Sequence, residues 1–213
     1  MPALNWAAIG RQLRKPSGVG GHLLGWLMGM VNRESNAIAI RALEISPHDA
    51  ILDLGIGPGR TVETLTAMAP QGCVLGVDHS ASMLAQAARH NKRPIGQRRF
   101  YLQRACFDAL PYRTESIDKI LAAHVVYFMN ENASELREAR RVLRPGGRIA
   151  IVAIDKSVMA KWKFAHSSTH RLFGLHELSI LLLHGGFEMS AVAISRIYLP
   201  FGIPGLLAVA TKG

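Results

Sequence analysis

Ile51-Leu52-Asp53-Leu54-Gly55-Ile56-Gly57-Pro58-Gly59 is the stretch on which the fold turns. An apolar run carrying one acid breaks into glycines at every second position, a pattern suited to a strand that bends sharply into a helix beneath a bound nucleotide. Gly55 and Gly57 lack Cβ, so the backbone there can take positive φ and let a ligand sit almost against the main chain. Pro58 fixes φ near the value of a first helical turn and gives up only an N–H that would lack an intrahelical partner. Asp53 falls at the carboxyl end of the strand, where open α/β sheets bind ligands, and a carboxylate there suits a cationic amino group better than a phosphate. A dinucleotide fingerprint would keep its third glycine for position 60; here Gly59 comes one place early and Arg60 stands in its stead.

Reading outward, Val74-Leu75-Gly76-Val77-Asp78 is a second buried strand ending in an acid, and a carboxylate so placed can accept both hydroxyls of a ribose. His79-Ser80-Ala81-Ser82-Met83 follows, with Ser80 placed to cap the next helix. Beyond it come Phe107-Asp108-Ala109-Leu110-Pro111, Ile117-Asp118-Lys119-Ile120-Leu121-Ala122 and Arg141-Val142-Leu143-Arg144-Pro145-Gly146-Gly147-Arg148. Asp-x-Gly-x-Gly-x-Gly at the first strand, with these sequels in order over residues 50 to 154, resembles the motif series of the class I S-adenosylmethionine-dependent methyltransferases. That resemblance implies S-adenosylmethionine as cofactor, S-adenosylhomocysteine as product and no metal. It assigns Asp53 with Gly55, Ile56, Gly57 and Gly59 to the methionine part, Asp78 to the ribose, and Met83 with Asp108 to the adenine, with His79 and Ala109 also in the cofactor-binding set. Asp118 lies at the start of its strand, away from the ligand edge, and reads as structural.

Composition fits this frame. A chain of 213 residues, 49 % hydrophobic and 19 % charged, suits one α/β domain, and no apolar run is long enough for a membrane span. Gly18 to Val31 is apolar but short, flanked by Arg14, Lys15 and Arg33, and has no convincing signal-cleavage site, so a cytoplasmic protein is expected. Cys73 and Cys106 each lie in or beside an apolar run and read as free buried thiols. The formal net charge of +10 reads as a solvated basic face; apart from Phe100 and Tyr101 in the third strand, aromatic residues do not interleave with the basic clusters, which argues against a nucleic-acid partner.

Hydrophobic periodicity places helices near 20 to 31, 34 to 44, 59 to 68, 80 to 90, 132 to 143 and 174 to 184. Strands fall near 50 to 54, 73 to 77, 99 to 104, 117 to 123, 148 to 154, 187 to 194 and 205 to 211. The alternation predicts an α/β fold, a doubly wound, Rossmann-like sheet of seven mostly parallel strands. The short link Pro200-Phe201-Gly202-Ile203-Pro204-Gly205 makes the last strand antiparallel. The expected organisation is an N-terminal helical cap or lid over residues 1–49 and a cofactor-binding domain over 50–213.

Methyl transfer from a sulfonium is an in-line displacement, so positioning and water exclusion carry most of the catalysis. Where a base is needed, His124, directly after the fourth strand, and Tyr127, one turn on, are the leading candidates; His124 is also expected to border the cofactor. Asp155, His166 and His170 follow the fifth strand, in the segment that in this family commonly lines the acceptor pocket. Met159, Trp162, Phe164 and Phe173 among Lys161, Lys163 and Arg171 suit a small amphipathic acceptor with an anionic or polar end. The alternatives are a phospholipid-headgroup methyltransferase in peripheral contact with a membrane, and a binding protein for the cofactor without catalysis.

Overall fold

A strand covered by helices on both faces must be apolar almost throughout, and Ala50–Leu54 (β1) meets that condition with Asp53 as its one polar member. The structure, a computed structural model, describes residues 32–161 and 171–213; the expected helix near 20 to 31 lies outside them, as do His166 and His170. Residues 32–42 are helical (α1). Then follow Val62–Met68 (α2), Cys73–Asp78 (β2), Ala81–His90 (α3), Lys92–Gly96 (α4), Phe100–Arg104 (β3), Ile117–Ala123 (β4) and Ser134–Val142 (α5). The chain closes with Leu143–Ile154 (β5), Lys156–Met159 (α6), Leu175–His184 (α7), Val192–Leu199 (β6) and Ile203–Thr211 (β7).

The seven strands stand in the order β3-β2-β1-β4-β5-β7-β6. β3, β2, β1, β4 and β5 pair in parallel, and β7 inserts antiparallel between β5 and β6. The doubly wound Rossmann-like sheet with an antiparallel last strand is thus present. Strand order reverses between β1 and β4, which opens the ligand crevice of such sheets beyond their carboxyl ends.

Two cores flank the sheet. On one face Leu52, Leu54, Ile120 and Ile151 pack against Leu136 and Ala139 of α5 and Leu178 and Leu181 of α7. On the other, Ile51, Val74, Leu121 and Val152 meet Ala39, Ile40 and Leu43 from α1 and its end, and Val62 and Leu65 of α2. Burying each such aliphatic side chain is worth about 1.5–3 kcal/mol. An exposed pair such as Arg41 and Glu34, 3.8 Å apart, adds at most about 1 kcal/mol, so the faces of the sheet set its stability.

Three expectations need correction. The strand expected near 187 to 194 starts five residues later: Phe187 is buried below the end of α7, Met189–Ala191 form a 3-10 turn, and the ladder with β7 begins at Val192. The helix expected from 59 starts at Val62, because Gly59 takes φ +73° and leaves Pro58 in the turn, outside the helix. Cys106 is exposed and Cys73 only partly buried, so the two are free thiols but not core residues. No helix among the described residues is long and apolar enough to cross a membrane.

Asp118 stands at the end of the sheet remote from the crevice. Its Oδ2 accepts the Ala50 N–H at 2.8 Å and its Oδ1 the Arg144 guanidinium at 2.6 Å, joining the starts of β1, β4 and β5. Asp118→Ala leaves that N–H and that cation without their acceptor. Denaturant unfolding is expected to show a loss of about 1–3 kcal/mol, with affinity for S-adenosylhomocysteine unchanged; a large affinity loss would place Asp118 in the site instead.

Candidate functional site

After Leu54 the chain bends through Gly55, Gly57 and Gly59, with φ of +78°, +54° and +73°. The Gly55 and Ile56 N–H groups both donate to the Val77 carbonyl, at 2.8 and 3.0 Å, which ties the bend to β2. On one side it is closed: a Cβ on Gly55 would sit 2.2 Å from Cγ1 of Val125. On the other it is open, since a Cβ on Gly57 would meet nothing within 4 Å. From below, the Asn91 amide donates to the Gly59 and Ala87 carbonyls, each at 2.9 Å, and clamps the bend to the end of α3.

Two buried carboxylates lie by this bend, near enough for the charge of Asp78 to act on Asp53. Asp78 is buried at the tip of β2; its Oδ2 accepts the Gly57 N–H at 3.0 Å and its Oδ1 the Ser80 N–H at 2.8 Å. Ser80 then caps α3, its Oγ accepting the Met83 N–H at 3.4 Å. Asp53 is 3 % exposed, and the Thr61 hydroxyl donates to its Oδ2. Burial raises the Asp53 pKa from 3.8 to about 7; the Thr61 hydrogen bond works against that rise and the Asp78 charge adds to it. No basic side chain pairs with Asp53 among the described residues. A buried carboxylate without a counter-charge is disfavoured in its ionised form, a cost that a cationic ligand would offset.

Asp53, Asp78 and the glycine bend therefore come together. His79 lies beside Asp78 with its ring largely exposed, Nδ1 at 3.5 Å from Asp78 Oδ1. Ile56 is buried, and its Cδ1 occupies the space beside Gly76. Met83 is half-buried on α3; Asp108 and Ala109 are exposed in the loop after β3. Arg141 holds that loop in place by donating to the Leu110 and Tyr112 carbonyls, at 3.3 and 2.9 Å, and to Glu138. Asp155 is buried at the end of β5, where its Oδ1 accepts the Ser157 N–H at 2.8 Å. Sequence reasoning missed Thr61, Asn91, Val125 and Ser35, which touch or support the site.

His124 follows β4 in a left-handed conformation, φ +59°. Its Nε2 lies 2.7 Å from the Ser35 hydroxyl of α1 and its Nδ1 3.5 Å from the Tyr127 hydroxyl. Burial lowers the His124 pKa to about 4, so the ring is neutral at physiological pH. Burial raises the Tyr127 pKa well above its ordinary value, and its hydroxyl accepts the Ile154 N–H at 2.5 Å.

Residues 51–147, from β1 into the first residues of β5, match the methyltransferase-domain family. The chain is 30 % identical over 129 residues to the uncharacterised methyltransferase YdaC of Bacillus subtilis, covering 61 % of this chain and 69 % of that one. It is 27 % identical over 185 residues to the malonyl-[acyl-carrier protein] O-methyltransferase of Legionella pneumophila, covering 82 % and 63 %. In structure it resembles a chain of the complex between the Haloferax volcanii Trm112 methyltransferase activator and a methyltransferase. There the TM-score is 0.72 at 20 % identity over 87 % and 92 % of the two chains, a likeness of fold alone. Over eight curated relatives the chain spans 34 % to 69 % of the relative's own length.

Fold and motif series together define a Rossmann-like methyltransferase domain. The chain belongs to the class I S-adenosylmethionine-dependent methyltransferases, whose cofactor is S-adenosylmethionine and whose spent form is S-adenosylhomocysteine. The residues present fit that group. The Asp53 carboxylate, without a basic partner among the described residues, would suit its amino group, the Asp78 carboxylate its ribose diol, and the open side of Gly57 would leave room for its chain.

The raised pKa of Asp53 sets a pH dependence. Ionised above about pH 7 and protonated below, Asp53 attracts an ammonium group only in the upper range. The dissociation constant of S-adenosylhomocysteine is expected to rise about tenfold between about pH 8 and about pH 6, and Asp53→Asn to flatten the profile. A flat wild-type profile by calorimetry would separate Asp53 from the amino group. For the ligand-free protein the sign is opposite: the folded chain holds a proton at Asp53 that the unfolded chain releases from about pH 4 upward, so stability falls as pH rises through about 7.

Proposed function

We propose that this chain transfers the methyl group of S-adenosylmethionine to a small amphipathic molecule bearing an anionic or polar end, in the cytoplasm. Residues 50–213 then act as the cofactor domain and residues 1–49 as a cap over the crevice. Asp53 and the bend from Gly55 to Gly59 hold the methionine part, Asp78 with His79 the ribose, and Met83, Asp108 and Ala109 the adenine. The bound cofactor supplies an electrophilic methyl on its sulfonium; the protein orients it and excludes water.

The observation that carries the acceptor class is the rim of the crevice beyond β4, β5 and β7. Tyr198 and Phe201 are 77 % and 67 % exposed at the β6–β7 hairpin, whose tip lies beside the end of β5, and Phe128 is 60 % exposed after β4. Cations stand among them: Arg196 is 3.9 Å from Asp155, and the Arg171 guanidinium lies 5.1 Å from the Phe173 ring centre. Exposed aromatics beside fixed cations suit an apolar body ending in an anion. The relative that methylates a malonyl carrier, similar over most of this chain, supports an acceptor of that kind.

The acidity of the site residues narrows the nucleophile. An imidazole held near pKa 4 is a weak base, and Tyr127 keeps its proton, so neither is suited to deprotonate a neutral alcohol. An acceptor already ionised at neutral pH, a carboxylate or acidic phenol, would need no base from His124 or Tyr127, and we propose that class of nucleophile first.

Labelled S-adenosylmethionine offered with acyl-chain carboxylates, acidic phenols, phospholipid vesicles and RNA tests the reading. Label is expected in a carboxylate or phenol. Tyr198→Ala with Phe201→Ala should raise the KM of that acceptor about tenfold while leaving the affinity for S-adenosylhomocysteine intact. Label only in lipid or RNA, or binding with no transfer to anything offered, would contradict it.

A further inference from the structure

We infer that Thr61 is a positioning residue for the amino-acid end of the cofactor, fixing the Asp53 carboxylate and setting the pH range in which it can hold an ammonium group. The inference rests on the reading of Asp53 as the partner of the cofactor's amino group and is independent of the acceptor.

Thr61 is the N-cap residue of α2, with φ −86° and ψ −22°, and is 7 % exposed. A threonine at that position ordinarily turns its hydroxyl oxygen to an N–H two or three residues on. Here the side chain makes no such bond. Its hydroxyl donates instead to Oδ2 of Asp53, 8 residues back along the chain. The helix keeps its place by other means: Val62 and Leu65 are fully buried in the core, and the Leu65 N–H donates to the Thr61 carbonyl at 3.0 Å. The hydroxyl therefore acts on the acid and not on the helix.

The neighbours of Asp53 give that bond its weight. Asp53 lies between Gly76 of β2 and Leu121 of β4, neither of which offers a side-chain donor. The charged neighbour is Asp78, whose charge works against ionisation of Asp53. Arg60 and Glu63, on either side of Thr61, are exposed, and no basic side chain pairs with Asp53 among the described residues. Donation to a carboxylate favours its charged form, so among these groups only Thr61 draws the Asp53 pKa down, against burial and Asp78. The bond also takes Oδ2, and so fixes Oδ1 as the oxygen that a ligand's ammonium group would meet. Without the hydroxyl, Asp53 holds its proton to higher pH and its carboxyl plane loses a restraint.

The test uses the full chain with S-adenosylhomocysteine and with 5′-methylthioadenosine, which keeps the nucleoside and lacks the amino-acid end. Thr61→Val, of the same shape without the donor, should raise the dissociation constant of S-adenosylhomocysteine about fivefold to tenfold at about pH 7. That of 5′-methylthioadenosine should stay within about twofold. Carbon-13 spectra of labelled aspartate in the ligand-free protein should show Asp53 titrating at about 7 in the wild type and about one pH unit higher in the variant. Thr61→Ser, which keeps the donor, should restore both readings. In an Asp53→Asn background Thr61→Val should add less than about twofold, since its route is gone. The inference is overturned by an Asp53 midpoint that Thr61→Val does not move, by equal losses for the two ligands, or by the full effect persisting with Asp53→Asn. Asp53→Asn leaving the affinity for S-adenosylhomocysteine unchanged would remove the amino-group reading, and the inference with it. Thr61→Ala, equally without a donor, gives the same readings where the valine variant does not fold.

Discussion

The burial of Asp53 is the constraint around which the site is arranged. A carboxylate at the tip of a central strand, 3 % exposed and with a neighbouring carboxylate raising its pKa further, is disfavoured in its ionised form. One hydroxyl, that of Thr61, offsets only part of this, and no side chain of the opposite charge is paired with it among the described residues. Stability alone would favour an aliphatic residue at this point, as at Leu52 and Leu54 on either side. Under the proposed function the acid is half of an ion pair whose other half arrives with the cofactor.

The other parts of the crevice serve that arrival. Asp78 spends two of its lone pairs on the Gly57 and Ser80 N–H groups, so one side chain fixes both the bend and the start of α3 and still has capacity for a diol. Val125 closes the bend above and Asn91 below, leaving the side at Gly57 open. Strand order places these groups where β1 and β4 diverge. Asp118, at the opposite end, joins strand starts and leaves the chemistry to the other edge.

Much of this was legible because short-range chemistry wrote it. Glycines that must take positive φ, acids ending apolar strands and Ser80 before a helix are local signals, and the structure places each where the sequence implies. Contacts across the chain were not legible. Thr61 and Asn91 look like ordinary turn and helix-end residues until the fold brings them to Asp53 and Gly59, and Ser35 stands 89 positions from the imidazole it meets. The edge strand β6 was misplaced because Phe187 and Met189 supply β-like residues, yet Phe187 is used as a plug under α7 and Met189 is turned to solvent. Cys106 was misjudged since apolar neighbours in sequence do not bury a residue that sits in a loop.

A crystal structure of the chain with S-adenosylhomocysteine tests the central claim most directly. The account predicts the homocysteine amino group within hydrogen-bonding distance of the Asp53 carboxylate, both ribose hydroxyls on Asp78, and the ligand chain passing along the open side of Gly57. A ligand bound elsewhere, or one seated in the crevice with a phosphate, a carboxylate or nothing at all facing Asp53, would contradict it.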